Sequence, residues 1–130
     1  MSSHESSARV LFNLSSTNLG TTLSASASSP PISVLHVEDL WLAVSLGAAP
    51  TGTTPTLDVQ VDVQDADGNW FPQVAKVTQL TTSNTSSAVS LGLHIAAAQI
   101  VLPHWCRITW TLGGTGSPAF SKVSLALHGR

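Results

Sequence analysis

Residues 57–63, Leu-Asp-Val-Gln-Val-Asp-Val, alternate without a break: Leu57, Val59, Val61 and Val63 point to one side, and Asp58, Gln60 and Asp62 point to the other. A period of two marks a strand with one face buried. It recurs in 106–112, where Cys106, Ile108, Trp110 and Leu112 oppose Arg107, Thr109 and Thr111, and again in 123–127. Leu40, Leu42, Val44 and Leu46 form a further stripe, with Leu35 and Val37 out of phase by one. A bulge near Glu38 and Asp39 would repair the phase. Segments 8–14, 74–80 and 88–93 are rich in Val, Leu or Thr and end in turn residues, which predicts more strands. For a helix the pattern offers only the short stretch 94–102.

The strands are separated by 47–55, 65–69, 81–87 and 113–118, all rich in Gly, Pro, Ser, Thr, Asn or Asp. This predicts an all-β fold, an antiparallel β-sandwich of jelly-roll type. Residues 15–31 are poor in large apolar side chains and end in Pro30-Pro31, so they predict an extended arm or loop. The expected division is a Ser/Thr-rich N-terminal arm over 1–31, with a short strand at 8–14, and a sandwich domain over 32–130.

Composition changes the picture of the surface. Charged residues are 9% of the chain, while Ser and Thr fill 33 of its 130 positions, so hydroxyls and small side chains must cover the outside. Soluble monomers usually carry more charge, which points to assembly into an oligomer. The net charge of −2 and five scattered cations give no footprint for nucleic acid. No apolar run is long enough to span a bilayer, and 1–10 has no signal-peptide core. Cys106 is the only cysteine, so no disulfide framework is expected, and its ordinary role is a small buried apolar residue.

Residues 64–70, Gln-Asp-Ala-Asp-Gly-Asn-Trp, resemble the start of a calcium loop. Counting from Asp65, however, the sixth position is Trp70 and the twelfth Lys76, where Gly and a bidentate Glu are required. A β-hairpin turned at Asp67-Gly68 and returning at Trp70 fits instead. Asp58 and Asp62 lie four residues apart on one strand, roughly 13 Å, too far to act as a glycosidase pair and expected to keep a solvent face wet. His4, His36, His94, His104 and His128 never fall at i, i+2 or i, i+4. With neither a G-x-S-x-G elbow nor a phosphate loop, the expectation is a protein without catalytic residues, metal or cofactor.

Trp41, Trp70 and Trp105 fall on the faces opposite the core, whereas Trp110 falls on a core face. Exposed Trp serves subunit contact or stacking on sugar rings, and subunit contact is favoured because the chain lacks Tyr. The candidate interaction surface is therefore Trp41, Trp70 and Trp105 together with the arm, represented by Ser2, Pro30 and Pro31, and the loops 47–55 and 81–87.

Residues 56–74, in which L-D-V-x-V-x-V leads through Asp-Gly to Trp, and residues 107–127, beginning R-x-x-W-x-x-G-G-T-x-S-P-x-F, resemble small structural proteins of tailed bacteriophages. The resemblance implies a virion component, a decoration or cement protein on the outside of the capsid, bound to the major capsid protein or other virion subunits and often trimeric. The alternatives are a neck or tail structural protein, or a carbohydrate-binding sandwich that uses its exposed Trp.

Overall fold

The computed structural model describes residues 8–14 and 21–130. Nine strands follow in order: β1 Arg9–Asn13, β2 Thr21–Leu23, β3 Ala27–Ser28, β4 Ile32–Ser33, β5 Asp39–Leu46, β6 Thr51–Gln64, β7 Trp70–Lys76, β8 Ser86–Gly92 and β9 Trp105–Gly129. All nine pair antiparallel in the order β7-β6-β9-β5-β8, with β1 to β4 along the remaining edge of β9. The fold is all-β, as the alternation predicts. Its two layers are halves of one bent sheet, nearly closed into a barrel.

The bend lies where the sequence predicts loops. Residues 113–118 and 51–55 are paired strand, with Thr56 opposite Gly113, Thr53 opposite Thr115 and Thr51 opposite Ala119. Bulges on both strands turn this ribbon, so the first half of β9 lies in one layer and the second half in the other. Gly114 has φ 110°, and a Cβ there would stand 2.8 Å from the carbonyl oxygens of Thr53 and Thr54. Glycine is required at this corner by conformation and by space. Gly and Pro signal a positive φ or a broken ladder, and a bulged strand uses both as readily as a loop does.

Inward-facing side chains fill the interior. Leu57, Val59, Val61, Cys106, Ile108, Phe120, Leu125 and Leu127 are fully buried, joined by Leu40, Leu42 and Val44 from β5 and Leu91 from β8. After β7 the chain runs back beside β6, where Leu80 and Leu57 exchange two backbone hydrogen bonds of 2.9 Å. Thr78 N–H then donates to Ser87 Oγ of β8 at 3.0 Å, which draws the two outer strands together.

Within the segment expected to be an arm, the described residues 21–31 run along the sheet. Leu23 is opposite Phe120, Ala27 opposite Trp110 and Ile32 opposite Cys106, and Leu23 and Ile32 are buried. Ser29 is also buried: its N–H donates to Ile108 O at 2.8 Å and its Oγ accepts from Ile108 N–H at 2.9 Å. Pro30 and Pro31 remain exposed, while Ser2 lies outside the described residues.

One smaller expectation is met and one changes. The phase shift before β5 is taken up by a turn at Leu35-His36, where Val37 N–H donates to Val34 O at 2.9 Å, His36 has φ 65° and Leu35 points to solvent, and by the expected bulge, where Glu38 N–H and Asp39 N–H both donate to Arg130 O at 2.8 and 3.0 Å. The stretch 94–102 holds only a single 3₁₀ turn, Ala96–Ala98.

Candidate interaction surfaces

Three strands carry outward Ser and Ala at alternate positions, Ala-x-Ser in β5 and Ser-x-Ala in β8 and β9, and the antiparallel register brings them side by side. Ser45 lies between Ser86 and Ser124, Ala43 between Ala88 and Ala126, and Trp41 between Ser90 and His128, with Val10 beyond His128. This outer face of the β8-β5-β9-β1 layer contains no charged side chain in those rows. Trp41 is 46% exposed, and its indole is tilted against the His128 ring at a centroid distance of 5.3 Å. The floor forms a shallow trough of about 470 Å³, with Trp41 and His128 as its wall.

At the Trp41 end the face is closed by Asp39, which is buried although it carries a charge. Its Oδ1 accepts from His94 N–H, and its Oδ2 from His94 Nδ1 at 2.9 Å and from Arg130 Nε at 3.3 Å. Asp39 and Arg130 also exchange backbone hydrogen bonds of 3.0 Å, so one carboxylate ties the chain end and the 93–94 turn to β5.

The opposite layer is built differently. Its outer face carries the ion pairs Lys76–Asp58 and Arg107–Asp62, each at 2.9 Å. Asp62, expected to face solvent, is only 1% exposed. The cause is a bulge in β7: Val61 faces Ala75 and Val63 faces Phe71, leaving three residues of β7 opposite Asp62. Gln73, at φ 56°, turns its N–H onto Asp62 Oδ1 at 2.9 Å, where a ladder bond would otherwise be missing. Gln60 Nε2, Arg107 Nε and Thr109 Oγ1 complete the shell at 2.8, 2.9 and 2.7 Å. Above them Arg107 stacks on Trp70, with its guanidinium carbon 4.3 Å from the ring centroid. Trp70 is therefore half-buried and committed to this cluster.

Burial pushes the Asp62 carboxyl up, but the bonds from Thr109, Gln73, Gln60 and Arg107 outweigh it and hold it below the ordinary carboxylate range. Asp39 behaves alike: burial raises it, and the bonds from His94 and Arg130 bring it lower. Both groups ionise more readily folded than unfolded, so in acid the unfolded chain takes up protons first. The thermal midpoint should be nearly constant down to about pH 5 and fall progressively below about pH 4. Calorimetry across this range checks it, and an unchanged midpoint at pH 3 would contradict it.

Trp110 is a core residue, as expected, and Trp105 is 37% exposed. The Cys106 thiol is pushed up to about 12, mainly by burial and further by the Asp62 charge, so it is held as a neutral, unreactive thiol. Among the described residues no group of three His, Cys, Asp or Glu converges for a metal ion, and no helix is long and apolar enough to cross a membrane. The alternation of each strand exposes the three Trp to sequence reasoning, but the Ser and Ala rows need the register of distant strands. Comparison with known protein families, with curated proteins and with solved structures gives no match for this chain.

Proposed function

We propose that this chain is a structural virion protein, a decoration or cement subunit on the outside of a tailed-phage capsid, and that it has no catalytic role. The observation that carries the proposal is the uncharged outer face built from the Ser86-Ser45-Ser124, Ala88-Ala43-Ala126 and Ser90-Trp41-His128 rows. Small side chains let a partner approach the sheet closely, the absence of charge removes a desolvation cost, and Trp41 and Val10 supply apolar anchors. The likeness of 56–74 and 107–127 to phage structural proteins supplies the particle. The major capsid protein, or a neck or tail subunit in its place, is then the partner, and the protein acts as a homo-oligomer, a trimer by the same likeness.

Scale decides how such a surface works. Four strands and five residues span roughly 14 Å each way, on the order of 200 Å². Stable interfaces bury about 800 Å² per partner, so this face alone gives a weak contact. Repetition over a symmetric shell turns weak contacts into firm attachment. Purified protein is therefore expected to co-sediment with phage heads lacking it, saturating at a fixed number of copies, whereas protein that remains in the supernatant at every concentration would refute the proposal.

A further inference from the structure

We infer that the groove between the β6-β7 hairpin and the start of β9 is a binding site for a neutral saccharide, with Trp105 as its stacking wall. The groove holds about 450 Å³, within the range of small-molecule sites at about 300–1,000 Å³. It is lined by Gln64, Asp65 and Gly68 from the hairpin and by Pro103, His104 and Trp105. It lies in the opposite layer from the uncharged face, so the inference does not depend on the virion proposal.

Each lining group is fixed before any ligand arrives. His104 stacks on Trp105 at 4.4 Å between centroids and 8° between planes, which sets the indole while 37% of Trp105 stays exposed. His104 Nε2 is engaged with Ser33 Oγ at 3.1 Å, leaving Nδ1 for a hydroxyl. Gln64, directly opposite Trp105 in the register, donates its Nε2 to Gly68 O at 3.1 Å, and its side-chain oxygen has no partner among the described residues. Asp65 shapes the turn: its Oδ1 accepts from Asp67 N–H and Asn69 N–H at 2.9 Å, and its Oδ2 from Asn69 Nδ2 at 3.1 Å. A carboxylate has lone pairs beyond these, and Oδ2 is the less committed oxygen.

A flat aromatic wall flanked by a carboxylate, an amide oxygen and an imidazole nitrogen matches a pyranose, which offers a C–H face and a rim of hydroxyls. Among the described residues Asp65 is the only charged group lining the groove, and it is negative, so sialylated and uronic sugars are disfavoured and neutral ones admitted. Prior fixation of the side chains lowers the ordering cost of binding.

The test is a titration of the protein with neutral trisaccharides of glucose, mannose, galactose and N-acetylglucosamine, and with a sialylated trisaccharide. Binding is followed through the four indole N–H signals in proton-nitrogen spectra, assigned with single Trp→Phe variants. At least one neutral sugar should shift the Trp105 signal saturably and leave Trp41 unmoved. Trp105→Ala should weaken that binding by roughly ten-fold or more. Asp65→Asn, which keeps an oxygen to hold the turn, should weaken it several-fold with the remaining indole signals in place. The inference is overturned if no neutral sugar moves Trp105 at millimolar concentration, if the sialylated sugar binds best, or if neither variant weakens binding.

Discussion

Replacing Asp62 by Ala should lower the free energy of unfolding by roughly 3–5 kcal/mol, among the largest effects of any single substitution on this molecule. The variant would leave the Gln73 N–H, the Thr109 hydroxyl, the Gln60 amide and the Arg107 guanidinium without their common acceptor. Trp70 and Arg107 cover the site only in part, since 30% of the Arg107 side chain is exposed, so solvation of the freed donors keeps the loss within that range. At about 4 °C per kcal/mol for a domain of this size, the thermal midpoint should drop by roughly 10–20 °C. Asp62→Asn, with its oxygen in the Oδ1 place, keeps the acceptor for Gln73 and Gln60 but loses the one for Thr109 and the charge opposite Arg107, so its loss should be smaller. Calorimetry on the three proteins at neutral pH measures both steps. A drop under about 1 kcal/mol for the Ala variant, the level of an ordinary surface change, would contradict the account of Asp62 as the carboxylate that repairs the β7 bulge.

The second large effect concerns binding rather than folding. Ala43→Glu places a charge at the centre of the Ser and Ala rows, between Ala88 and Ala126. In the free protein the new side chain lies in water on an outer sheet face, and stability should change by no more than about 1 kcal/mol. Against a partner the carboxylate must be desolvated without a cation to meet it, and attachment to the particle should weaken by on the order of a hundred-fold. The contrast between intact folding and lost attachment separates a contact surface from an incidental one.

Alternation carried much of the fold into view. Leu57, Val59 and Val61 are buried as their period of two requires, and Cys106, Ile108 and Trp110 follow suit. Alternation assigns a side chain to a face but does not say what covers that face. Asp62 lies on the outer side as predicted, yet Arg107, Trp70 and the bulge at Gln73 close over it. The corner at 113–118 was hidden for a related reason, since Gly114 serves a bulged strand as well as a loop. Residues 21–33 have few apolar side chains to announce them and are held chiefly by their backbone against β9, with Leu23, Ser29 and Ile32 as the buried points. Removing 1–31 would therefore strip part of the core, so its effect on attachment would not isolate an arm.

The Asp-Gly turn shows the same limit on a smaller scale. Gly68, at φ 87°, supplies the left-handed residue that the hairpin needs. Asp65 organises the turn by accepting from Asp67 and Asn69, and bonds from Asn69 above all hold its carboxyl below the ordinary range. The candidate surface was legible in part: Trp41 and Trp105 are exposed, Trp70 is taken up by Arg107, and the alternate Ser and Ala of β5, β8 and β9 gain meaning only once the three strands are aligned.

The central claim is that the uncharged face seats this protein on a virion. Its most direct test is sedimentation of phage heads with the wild-type protein and with the Ala43→Glu variant, at equal concentration and matched thermal stability. The account predicts that the wild type pellets with the heads at a saturable ratio while the variant stays in the supernatant. Equal pelleting of both, or of neither, would contradict it.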